Sequence, residues 1–106
     1  MAQTPPATAA FQLDGERLRL SGVLDFATTP ALAKQLGQLL RDHPEREWVV
    51  DLSGVQFGNS AGIALLLELK RLARGAGPAI RIQAMPERMV TIARAHGVDG
   101  LLDLPA

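Results

Sequence analysis

Residues 48–74 read WVVDLSGVQFGNSAGIALLLELKRLAR, a strand, a Gly-rich turn and a helix in succession. Trp48-Val49-Val50-Asp51-Leu52 is a short, nearly continuous apolar run with β-branched residues. Such a run suits a strand covered on both faces, as in a parallel sheet. Ser53-Gly54 and Gly58-Asn59 are breaker pairs, which predicts a strand end near Ser53. Asn59 or Ser60 then supplies the side-chain oxygen that caps a helix, worth about 1 kcal/mol. The helix is predicted from Ala61 to about Gly75. Lys70, Arg71 and Arg74 in its later turns suit the helix dipole, and Gly75, Gly77 and Pro78 stop it.

At roughly 100° per residue, Gly62, Leu65, Leu66, Leu69, Leu72 and Ala73 share the sector that faces the sheet. Glu68 and Arg71 lie opposite. Ile63 and Leu67 fall outside the core sector, next to Ser60, Lys70 and Arg74. Two large aliphatics beside a serine and basic residues predict a docking surface made of Ser60, Ile63, Ala64, Leu67, Lys70, Arg71 and Arg74. The alternative is a neighbouring loop that shields both aliphatics.

The flanking segments complete an alternating pattern. Residues 1–10 are rich in Pro, Ala and Thr and are expected to fray, leaving residues 11–106 as the domain. Phe11, Leu13, Leu18, Leu20 and Val23 surround Asp14-Gly15, a hairpin signal. Arg17-Leu18-Arg19-Leu20 alternates, so that strand has one wet face. Thr29 is the expected cap of a second helix, with Pro30 at its first position. Leu32, Ala33, Leu36, Leu39 and Leu40 recur at helical spacing until Asp42-His43, where Pro44 bars continuation. Ala79–Gln83 alternates as a strand. Pro86 starts a last helix through Met89, Val90, Ile92 and Ala93, with Gly97 as its stop. Val98, Leu101, Leu102 and Leu104 form an apolar tail expected to pack back on the body. The order β-β-α-β-α-β-α predicts an α/β domain: a mixed, mostly parallel sheet of four to five strands with about three helices.

Composition narrows the function. At 106 residues there is room for one domain. Eleven basic and 11 acidic residues balance, so no strong field favours nucleic acid or an anionic membrane. The absence of cysteine removes disulfides and thiolate metal sites. The start has no basic segment leading into an apolar core, and a cytoplasmic protein is expected. No P-loop pattern occurs, and two histidines do not make a metal site, so no cofactor or metal is expected.

Gly58-Asn59-Ser60-Ala61-Gly62 also matches G-x-S-x-G, the nucleophile elbow of serine hydrolases. A strand ending near Ser53 would take Ser60 off the sharp turn that chemistry needs. His43 and His96, the only bases, fall at the far ends of their helices. No catalytic residue is therefore assigned, and a small serine hydrolase is the remote alternative. Asp25, Asp51 and Asn59 are expected to support loops through hydrogen bonds.

Gly22-Val23-Leu24-Asp25, Asp51-Leu52-Ser53-Gly54-Val55 and Asn59-Ser60-Ala61-Gly62-Ile63-Ala64-Leu65-Leu66-Leu67 together resemble the STAS domain family (sulphate transporter and anti-sigma factor antagonist) over about residues 11–104. The phrases AGIALLL and MVTIARAHGV resemble the small STAS subunits of Mla-type phospholipid ABC transporters. That resemblance implies an accessory subunit that binds the cytoplasmic ATPase and supports phospholipid transport between outer and inner membranes. It also implies a location peripheral to the inner membrane. The family's other branch, the anti-sigma factor antagonists, implies phosphorylation of Ser60 by a partner kinase. Asn59 stands where that branch usually has Asp, and the hydroxyl remains.

Overall fold

The computed structural model describes residues 8–75 and 79–104. The chain runs β1 (Ala9–Asp14), β2 (Arg17–Leu24), α1 (Thr29–Asp42), β3 (Trp48–Gly58), α2 (Ser60–Gly75), β4 (Ile80–Gln83), α3 (Glu87–Ala95) and a 3-10 turn (Gly100–Leu102). The sheet order is β1-β2-β3-β4. β1 is antiparallel to β2; β2–β3 and β3–β4 are parallel. The domain is thus α/β with a mixed, mostly parallel sheet of four strands and three helices.

Asp14 pairs with Arg17 across the hairpin, and Gly15 takes the left-handed conformation the tight turn requires (φ +63°). β1 begins at Ala9, with Ala9 and Ala10 paired to Gly22 and Ser21, so two residues of the segment expected to fray belong to the sheet. Residues 1–7, the expected stops at Gly77 and Pro78, and residues 105–106 of the expected domain lie outside the described residues.

Because β2, β3 and β4 follow one another across the sheet, both right-handed crossovers deliver their helices to the same face. Leu18 and Leu20 of β2, Trp48, Val50 and Leu52 of β3, and Ile80 of β4 point to that face. They share one core with Leu32, Leu36 and Leu40 of α1, Leu65, Leu66 and Leu69 of α2, and Met89 and Ala93 of α3. The strand at 48–52 is therefore not covered by helices on both faces. Its second face is closed by charge: Arg17 and Arg19 flank Asp51, with Nη1–Oδ2 at 3.0 Å and Nε–Oδ2 at 3.5 Å. The two arginines lie over the carboxylate and leave Asp51 only 5% exposed. An apolar run with one Asp reads the same whether helices or arginine stems cover it.

β3 does not end near Ser53. It continues to Gly58 because it gains a residue on β2 at each of two irregularities, opposite Arg19/Ser21 and Gly22/Val23. Such bulges absorb Ser53-Gly54 without ending the ladder. The Asp51 carboxylate also accepts the Ser53 N–H at 2.8 Å, which fixes the first bulge. That bond is the main reason the Asp51 pKa falls to about 2, with Arg17 adding to the same direction.

Candidate functional site: the N-terminal half of α2

The end of β3 feeds α2 with one residue between them. Asn59 donates its N–H to the Leu24 carbonyl (3.1 Å), which ties the turn to the end of β2. Its Oδ1 accepts the Ala61 N–H at 2.9 Å, and its carbonyl accepts from Gly62 (3.0 Å) and Ile63 (3.3 Å). Asn59 is therefore the cap, and Ser60 occupies the first helical position. Ser60 is exposed, and its hydroxyl makes no hydrogen bond among the described residues.

Close approach at this turn explains its glycines. A side chain on Gly58 would collide with Met89 of α3, and one on Gly62 would stand 2.9 Å from Met89 Cε and 3.1 Å from Leu24 Cβ. The bare backbone lets α3 draw up against the start of α2.

That approach changes the fate of Ile63. The sequence places it outside the core sector, but it is 5% exposed and packs in the core. α2 is the middle of three helices, so its buried sector widens toward α3; a helical wheel drawn against a sheet alone misses the flanking helix. Ser60 and Ala64 are exposed and Leu67 is half-buried. These three line an apolar groove of about 200 Å³, with the edge of Ile63 at its floor and Ile92, His96 and Val98 as its far wall. A second hollow of about 190 Å³ continues past Leu67 to Lys70, Arg71, Arg74 and Leu101.

The basic residues differ in freedom. Lys70 Nζ donates to the Ile80 carbonyl (2.8 Å) and to Asp103 Oδ2 (2.5 Å), and its side chain is 12% exposed, so it is built into the fold. Arg71 forms a two-point bond with Glu68 (2.8 and 2.6 Å). Arg74 is exposed at the end of the stripe. Asp103 is held below the usual carboxylate range, first by the bond from Lys70 and then by its charge.

Asp25 lies apart, in the β2–α1 loop. Its Oδ1 accepts from Ala27 N (2.9 Å) and Thr28 N (3.0 Å), and Thr28 Oγ1 donates to the Val23 carbonyl (2.7 Å). This Asx turn leads into α1, whose cap position is Thr28 and carries no side-chain cap bond; Thr29, expected as the cap, is instead the first helical residue, buried, with its N–H on the Asp25 carbonyl (3.0 Å). The loop carries Phe26, 72% exposed, which sequence periodicity did not single out. The remaining wall residues Ile92, His96 and Val98 were equally hidden, because they meet Ser60 only through the packing of α3.

The strand-to-helix turn revises the geometry for nucleophilic chemistry. Ser60 does sit directly after a strand, and His96 shares its groove. Among the described residues, however, no hydrogen bond joins Ser60 to His96 and no carboxylate is bonded to the imidazole, so a nucleophile–base–orienter chain is not assembled. His43 is remote, at the end of α1 with its ring edge-on to Trp48 at 6.2 Å.

A four-stranded mixed sheet with its helices on one face, and a serine opening the central helix, define the STAS class of domain. A family model described as "Mlab, STAS domain" matches residues 7–103, and the chain belongs to that family. Among solved structures it is similar to a chain of the Acinetobacter MlaFEDB complex in an ATP-bound conformation: TM-score 0.78, 22% identity, 91% of this chain and 99% of that chain covered. It is also similar to the unphosphorylated anti-sigma factor antagonist SpoIIAA, with TM-score 0.68, 16% identity, and 86% and 84% coverage of the two chains. An anti-sigma factor antagonist from Mycobacterium paratuberculosis gives 0.65 and 25%, with 96% and 89% covered. No curated protein sequence matches significantly.

Proposed function

We propose that this chain is a non-enzymatic accessory subunit of an Mla-type phospholipid-trafficking ABC transporter. It binds the cytoplasmic ATPase through the exposed stripe of α2 and reaches the inner membrane through that complex. The observation that carries this reading is the Mlab family match over residues 7–103. The likeness to a chain of the MlaFEDB complex over 99% of that chain's length supports it. The groove adds a physical reason: an uncapped hydroxyl beside Ala64 and Leu67 offers a polar pin next to apolar contact.

A second reading rests on the same serine. With Asn59 as the cap, the Ser60 hydroxyl is free to accept a phosphoryl group. That group adds about −1.5 to −2 charge, which a helix N-terminus favours. The fold would be spared while the apolar groove gained a charge, the behaviour of a phospho-switched antagonist of an anti-sigma factor kinase.

Co-expression with the ATPase and permease of its own cell, followed by size-exclusion chromatography, tests the choice. A complex containing chain and ATPase is expected. No such complex, together with a phosphate mass shift on Ser60 after incubation with an anti-sigma kinase and ATP, would replace the first reading with the second.

A further inference from the structure

We infer that Phe26 is a second anchor for the same partner, so that the docked ATPase straddles the first turns of α2 rather than lying only in the α2–α3 groove. The inference rests on the docking role proposed above. Its first support is size. From Ser60 to Arg74 the stripe is about 20 Å long and about 10 Å wide at helical dimensions, roughly 200 Å². A specific interface covers about 800 Å² per partner. One helix face falls well short, so the contact must spread to a flank.

The α1 flank continues it. Ala64, which lines the groove beside Ser60, also lines an apolar hollow of about 240 Å³ formed with Phe26, Pro30, Ala33, Ala61 and Leu65. No charged residue lines that hollow. Its occupant is therefore an uncharged, apolar part of the ATPase surface with a pocket for one aromatic ring.

The second support is the way Phe26 is displayed. A benzyl group left 72% exposed gives the fold little burial. Yet its loop is fixed on both sides: Asp25 Oδ1 holds the N–H groups of Ala27 and Thr28, and Thr28 Oγ1 holds the Val23 carbonyl. A rigid loop presenting an aromatic ring loses little freedom on binding, the property of an interface anchor.

The test titrates the purified ATPase with the full chain by calorimetry, using wild type, Phe26→Ala, Phe26→Asp and, as the control for the docking reading itself, Leu67→Asp. Phe26→Ala is expected to raise Kd at least tenfold, and Phe26→Asp more, with thermal unfolding unchanged. If Leu67→Asp abolishes binding while both Phe26 variants stay within twofold of wild type, Phe26 is no anchor and the docking reading stands. If Leu67→Asp binds normally while the Phe26 variants weaken, the partner sits on the α1 flank alone, and both the α2 groove and the straddling contact are overturned. If wild type does not bind the ATPase, both ideas fall.

Discussion

Asn59 and Ser60 divide two tasks that a helix start often gives to one residue. Asn59 satisfies the Ala61 N–H, so Asn59→Ala should cost about 1 kcal/mol in denaturant unfolding. Ser60 is left to face outward. Ser60→Asp should leave the melting temperature unchanged or slightly raised, since a carboxylate suits the first helical turn, while weakening partner binding in calorimetry. Unchanged affinity would remove Ser60 from the interface. Asp51 gives a pH signature. Its folded pKa of about 2 lies below the 3.8 of a free aspartate, so its contribution is fully present above the unfolded pKa and is lost as pH falls from about 4 to about 2. The size is up to about 2 kcal/mol at 1.36 kcal/mol per unit. Asp51→Asn should lower stability at neutral pH and flatten that acid decline; an identical acid profile in the variant would show the charge is not coupled to folding. Asp51, expected as a loop carboxylate near a strand end, lies inside β3 and holds a bulge, whereas Asp25 was legible as a loop carboxylate. Their partners were not, because Arg17 and Asp51 meet only through strand register.

At the scale of elements, the strand, turn and helix at 48–75 were readable because period and breakers agree. Their junction was not. A bulge lets Ser53-Gly54 remain in a strand, and breaker residues carry no mark that separates a bulge from an end. The burial of Ile63 was hidden for a related reason: the flank of α2 depends on where α3 lands, and α3 lands close because Gly58 and Gly62 leave room for Met89. Ile63→Ala should therefore cost about 2–5 kcal/mol of stability, as for other buried aliphatics, and Ile63→Asp should unfold the domain. An Ile63→Ala variant with wild-type stability, measured by urea unfolding, would mean the side chain is not part of the core. Gly58→Ala should destabilise more than Gly97→Ala relative to space, since nothing stands near Gly97 while Met89 fills the site at Gly58. Gly97→Ala carries instead the strain of a positive φ (+68°).

Across the whole molecule, all three helices lie on one face and charge closes the other, so the two faces present different chemistry. The helical face leaves a continuous path from Phe26 across Ala64 to Leu67, Arg74 and Leu101, and the exposed start of α2 lies in its middle. Docking of the ATPase along that path is what the proposed function requires. Its most direct test is the affinity of Ala64→Arg for the purified ATPase, measured by calorimetry beside a thermal melt. Ala64 is exposed and arginine is a good helix former, so the fold should be untouched. At least a hundredfold loss of affinity with an unchanged melting temperature is expected; wild-type affinity with a bulky cation in the middle of the path would mean that no partner covers it.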